Sequence, residues 1–238
     1  MKKTLLATIG LAAFCFLATN SQAELSQFSG TAVVNGIEYQ NVQVIYDDCL
    51  DIAYMDFASG KLIWGEAQDF ILSLSWISAD GVVYDNWRLP SLGDWQSEGY
   101  IYPDSELGHL YYDELGNISL AEAMDCDDEF ANEEECLAGL VNTGTFTSLS
   151  EENPYWFGDD EAASYDTYAP YFDFATGYQG EIAKSAPLYV LPVRDGGIAA
   201  VGTTPVHLPR KPSTSGIREI ITQLRAAEVN NRTGSIRA

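Results

Sequence analysis

DNWRLPSLGDW (Asp85–Trp95) and, shortly after it, SELGHLYYDELGN (Ser105–Asn117) set Arg88, one of the chain's few cations, between two core-type residues, Trp87 and Leu89. Alternation along an extended segment sends Trp87 and Leu89 to one face and Arg88 to the other. Pro90 keeps Leu89 out of helical space, so the segment reads as a strand running into a turn. A guanidinium on the far face calls for a carboxylate or an aromatic ring as its partner. Trp87, Arg88, Leu89 and Pro90 therefore read as a structural brace, not as a reactive site.

The flanking segments supply strands and helices. β-Branched runs on either side of Asn35-Gly36 predict a tight hairpin, and LDIAYMDF predicts a further strand. Trp64, Ala67, Ile71, Leu74 and Ile77 recur close to helical spacing, which predicts one amphipathic helix running through WGEAQDFILSLSW. Ser91 and Asp94 suggest a short capped helix. Leu107, Leu110, Tyr111 and Leu115 fall on one side of a second helix ended by Gly116. Residues 120–150 read as an acidic, irregular insertion. From Asn153 onward, aromatic, alternating runs return the chain to strands. Two helices among many strands make the fold class α+β, in one domain over residues 24–202.

Composition narrows the function classes. Residues 1–23 carry Lys2 and Lys3, an apolar stretch and Ser21-Gln22-Ala23, the pattern of a cleaved Sec-type signal peptide. Export to the periplasm or the extracellular space is the expected location, with no membrane span in the mature chain. From Glu24 to Gly202 there are 33 acidic residues against four basic ones, Lys61, Arg88, Lys184 and Arg194. That excess repels nucleic acid, which is held through its phosphates by Lys and Arg. Residues 203–238 change sign and read as a basic linker and tail with a short helix, expected to associate loosely with the acidic body.

Cysteine use follows the compartment. Cys126 and Cys136 bracket CDDEFANEEEC and are expected to pair across it, which leaves Cys49 over as a buried thiol or an intermolecular link. Asp125, Asp127 and Glu129 alternate like the start of a calcium loop, but Phe130 stands where an EF-hand needs glycine. Asp159 and Asp160 form a second acidic candidate. Calcium is thus the only ion these motifs suggest, and no other cofactor is expected. His109 reads as a packed core histidine with a satisfied nitrogen, and no nucleophile elbow or phosphate loop is present. Tyr165, Tyr168, Tyr171 and Tyr178 are the candidate ligand-facing aromatics.

The series IYDDCLDIAYMDF, KLIWGEAQDFILSL, DNWRLPS, SELGHLYYDELGN, NPYWFG, YFDFATGYQGE and YVLPVRDG resembles the Lcl C-terminal-domain-like family of bacterial exported proteins, over about Tyr46 to Gly196. The resemblance implies a C-type-lectin-like fold, with two helices on a small twisted antiparallel sheet and long irregular loops. The chain departs from the family at Phe157, where relatives carry a small residue, and in having the basic tail where a sorting helix is expected. The motifs of sugar-binding C-type lectins are absent, and the order Glu152-Asn153-Pro154 does not supply them. The expected function is a non-catalytic binding or adhesion module of the cell envelope, with a glycan or protein ligand. The alternatives are a glycan-acting hydrolase using carboxylates or a metal, and a structural matrix component.

Overall fold

The computed structural model describes residues 25–93, 98–125, 137–159 and 163–198, with the backbone alone at Val206–His207. At the first hairpin, Asn35 and Gly36 both take positive φ, 50° and 79°. That is the two-residue turn whose twist matches paired strands. It joins β1 (Leu25–Val34) to β2 (Ile37–Asp47). Their register slips once, between Gly30 and Thr31, where Asn41 at φ 62° is the extra residue of a bulge. Gly30 is needed there, because a Cβ would lie 2.4 Å from the Trp76 indole and from the Ile77 carbonyl.

The larger sheet adds β3 (Ile52–Asp56), β4 (Leu74–Ser78), β5 (Val83–Tyr84) and β10 (Val193–Asp195), in the order β10-β3-β2-β1-β4-β5. A two-residue strand β11 (Val206–His207) pairs with β1 at Ser26 and Gln27, within the stretch read from sequence as linker. The smaller sheet is β6 (Gly99–Tyr100), β9 (Tyr178–Ala183), β8 (Tyr168–Asp173) and β7 (Tyr155–Trp156), in that order. Every strand pairing within both sheets is antiparallel. The α+β class thus holds, but the sheet component is larger than two helices on one small sheet.

Helical structure is short. Helix α1 spans Trp64–Leu72 and ends at Ser73, after which the chain enters β4. The single long helix expected through Trp76 is therefore a helix followed by a strand. Leu74 and Trp76 alternate inward with period two, a pattern that a helical window reads as another turn. Ser91–Gly93 form no helical turn; the Ser91 N–H instead donates to Glu106 Oε2 at 2.7 Å. Helix α2 (Glu106–Gly108) runs directly into a π-helical turn over His109–Glu114, and α3 spans Leu120–Met124. Among the described residues no helix is long and apolar enough to cross a membrane.

Two cores lie on opposite faces of the central strands. Val42, Val44, Ala53 and Met55 join Ala67 and Ile71 of α1 in one. Ile45, Ile52 and Tyr54 join Leu107, Leu110 and Tyr111 in the other. Strand alternation alone divides the β2 and β3 side chains between them.

Candidate functional site

The π-helical turn shapes the most unusual chemistry in the molecule. Leu115 N–H donates to Leu110 O, five residues back, at 2.9 Å. Widening from 3.6 to more than four residues per turn sets positions i+4 and i+5 together beside position i. His109 consequently has Asp113 Oδ2 3.2 Å from its Nδ1 and Glu114 Oε1 3.2 Å from its Nε2. A third carboxylate arrives from the end of β2, where Asp47 Oδ2 lies 3.3 Å from the same Nε2. Asp47 Oδ1 is committed elsewhere, accepting the Cys49 and Leu50 N–H groups at 2.9 and 3.2 Å.

The imidazole and the Asp47 and Glu114 carboxylates are buried, while Asp113 is partly exposed. Burial by itself lowers the His109 pKa, but contact with Asp113 and Asp47 outweighs it and pushes the value up to about 9. His109 Nε2 and Asp47 Oδ2 nevertheless lack a directed hydrogen bond. The histidine is buried, as expected from sequence, with Nδ1 paired to Asp113 while Nε2 makes no directed hydrogen bond. Asp47, Cys49 and His109 also hold donor atoms within 4.8 Å of one another. Cys49 is disulfide-bonded, so its sulfur is not a thiolate ligand.

That bond corrects the reading of Cys49 as a leftover thiol. The chain's other cysteines, Cys15, Cys126 and Cys136, all lie outside the described residues. A cysteine has one disulfide partner, so a bridge from Cys49 to Cys126 or Cys136 and the expected Cys126–Cys136 bridge exclude each other.

Arg88 lies between the two layers. Its guanidinium donates to both Glu106 oxygens, at 2.7 and 2.8 Å, and to Asp195 Oδ1 at 2.5 Å. Its backbone bridges to Val193 of β10 in both directions. Trp87, Leu89 and Pro90 are buried beside it. Burial by itself would lower the Arg88 pKa, but its bonds to Glu106 and Asp195 raise it above the ordinary value.

The candidate ligand-facing tyrosines separate into two groups. Tyr165 and Tyr168 are exposed, with ring centroids 5.8 Å apart. Tyr171 and Tyr178 are half-buried on the smaller sheet, where Tyr100 extends the row at 5.1 Å from Tyr178. Glu98 accepts from the Tyr178 hydroxyl at 3.2 Å and from the Glu181 N–H at 3.1 Å. Sequence reasoning did not pick out Tyr100, whose pairing with Tyr178 is visible only in the register of β6 and β9.

The proposed calcium ligands do not gather at one described place. Asp125 caps the end of α3, and Asp159 Oδ2 accepts the Leu92 N–H at 2.5 Å. Asp127, Glu129 and Asp160, with Cys126 and Cys136, lie outside the described residues. A buried carboxylate not anticipated from sequence is Asp56. Its Oδ2 accepts from Thr147 N and Oγ1, both at 2.7 Å, and its Oδ1 from Ser148 N at 2.8 Å. No protein-family model, no curated protein and no solved structure matches the chain.

Proposed function

We propose that this chain is an exported, non-catalytic binding or adhesion module with a C-type-lectin-like body, whose aromatic sheet face takes a glycan or protein ligand. The observation that carries this reading is the row of Tyr100, Tyr178 and Tyr171 rings on paired strands. Neighbouring strands hold such rings in place before any ligand arrives, so little side-chain entropy remains to be lost on binding. Aromatic faces stack on sugar rings and anchor protein contacts equally well. Burial, then the negative charge of Glu98 and other neighbours, raises the Tyr178 pKa. The hydroxyl consequently stays protonated and able to donate.

A glycan array and a hydrolase panel run on the full chain test this directly. Saturable binding without turnover, weakened at least tenfold by Tyr178→Ala with Tyr171→Ala, is the expected result. Turnover of any glycan would make the chain a hydrolase, and binding untouched by both substitutions would remove the aromatic face from the mechanism.

A further inference from the structure

On the reading of the Tyr100, Tyr178 and Tyr171 row as the ligand surface, we infer that it takes a quaternary ammonium cation, carried as a trimethylated lysine on a protein partner. The first support is the shape around Gly180. This residue does not take positive φ. A Cβ on it would nevertheless lie 2.7 Å from Tyr178 Cε1, 3.4 Å from the Tyr171 hydroxyl and 3.5 Å from Glu98 Oε1. The bare backbone lets the Tyr178 ring fold across the strand, and two rings and a carboxylate meet at one point. The rings are also inclined to one another, Tyr100 by 71° and Tyr171 by 41° to Tyr178. Inclined rings wall a corner for a compact cation better than they make a platform for a flat sugar.

The second support is charge. Each oxygen of the exposed Glu98 already accepts a protein hydrogen bond, one from the Tyr178 hydroxyl and one from the Glu181 N–H. The carboxylate therefore serves a ligand chiefly through its charge, and a quaternary ammonium brings charge without an N–H to donate. Burial, then Tyr178, Asp173 and Glu98, pushes the Tyr171 pKa up to about 12. The charges that oppose a phenolate there oppose an anionic ligand as well. The third support is where the body's own cations lie. Lys61, Lys184 and Arg194 stand over the rings of Tyr189, Trp64 and Tyr84, and Arg88 is held by Glu106 and Asp195. All four are committed to rings or carboxylates outside the row. Phosphocholine, whose phosphate would meet Glu98 and Asp173, accordingly fits less well than trimethyllysine.

The test is a saturation-transfer NMR titration of the full chain with a short peptide bearing one trimethyllysine. The same peptide with carbon in place of the ammonium nitrogen, and phosphocholine, are the comparison probes. Saturable binding of the charged peptide is expected, about tenfold tighter than that of its uncharged counterpart. Glu98→Gln keeps an acceptor oxygen on an exposed side chain, so it should fold and weaken the charged peptide about fivefold. Gly180→Ala should weaken it about tenfold by displacing the Tyr178 ring. Circular dichroism separates lost binding from lost fold, and if Gly180→Ala does not fold, Glu98→Gln and the uncharged peptide decide. Equal binding of the two peptides, tighter binding of phosphocholine, or unchanged affinity in Glu98→Gln would overturn the cation. No binding of these probes by a chain whose glycan binding still depends on Tyr178 would overturn it too, and would leave the aromatic face to an uncharged sugar. Loss of both kinds of binding would remove the face itself.

Discussion

Arg88 shows how one side chain can hold two layers together. Its fork takes both oxygens of Glu106 while the same guanidinium holds Asp195, so removal strands a largely buried carboxylate. Arg88→Ala should cost about 2–3 kcal/mol, below the range of about 3–5 for a fully buried pair because the arginine is partly exposed. Arg88→Lys should recover less than half, since an ammonium cannot fork. Urea midpoints measure both, and an unchanged midpoint in Arg88→Ala would show that the contact is not a brace. His109 predicts a pH dependence of stability. Its pKa in the fold, about 9, stands above the ordinary 6.5. The stabilisation is therefore complete below about pH 6.5 and lost as pH rises through about 9, on the order of 3 kcal/mol. Melting between pH 6 and 9.5 should show this fall, and His109→Gln should flatten it. Asp47, Asp113 and Glu114 are the charged groups facing the ring. That His109 would be buried was legible from its leucine and tyrosine neighbours. Asp113, four residues on, lies on the same face of any helix, but Glu114 and Asp47 were not legible, because a helix of α pitch turns Glu114 away from His109 and Asp47 comes from a distant strand.

At the scale of elements, the irregular stretch before β7 is held by Asn117 at Asn142, by Tyr111 at Gly139 and by Asp56. Asp56 at the end of β3 accepts three hydrogen bonds from Thr147 and Ser148. Asp56→Ala leaves three donors without that carboxylate and should cost about 3 kcal/mol. Its urea midpoint should fall accordingly. A loss below about 0.5 kcal/mol would mean that water replaces the carboxylate and the loop is not anchored there. Strand and hairpin positions were readable because turn residues and alternation are local signals, as at Asn35-Gly36. The α1–β4 boundary was not, since Leu74 suits either period until Gly30 and Trp76 define the neighbouring strand.

Across the whole molecule, β2 and β3 contribute alternate side chains to both cores. Neither core can be exposed without disturbing the strands that carry the other. Thermal unfolding should therefore be a single cooperative transition, seen identically by far-ultraviolet circular dichroism and by tryptophan fluorescence. Two separated midpoints would show that the faces melt independently. The aromatic face proposed for ligand is likewise a product of assembly: Tyr100 and Tyr178 lie far apart in sequence and meet through strand pairing.

Local sequence by itself determined the α+β class, the turn at Asn35-Gly36, the inward Trp87 and Leu89, and the outward Arg88. Each follows from the steric preferences and periodicity of neighbouring residues, which act without reference to the rest of the chain. Tertiary structure alone decided that Arg88 meets Glu106 and Asp195, that Asp56 anchors a loop, and that Asp47 faces His109 beside a disulfide-bonded Cys49. A chain with 33 acids before its basic tail offers many carboxylates to every cation. Which one arrives is set by strand order and register, through long-range pairing that local pattern does not encode.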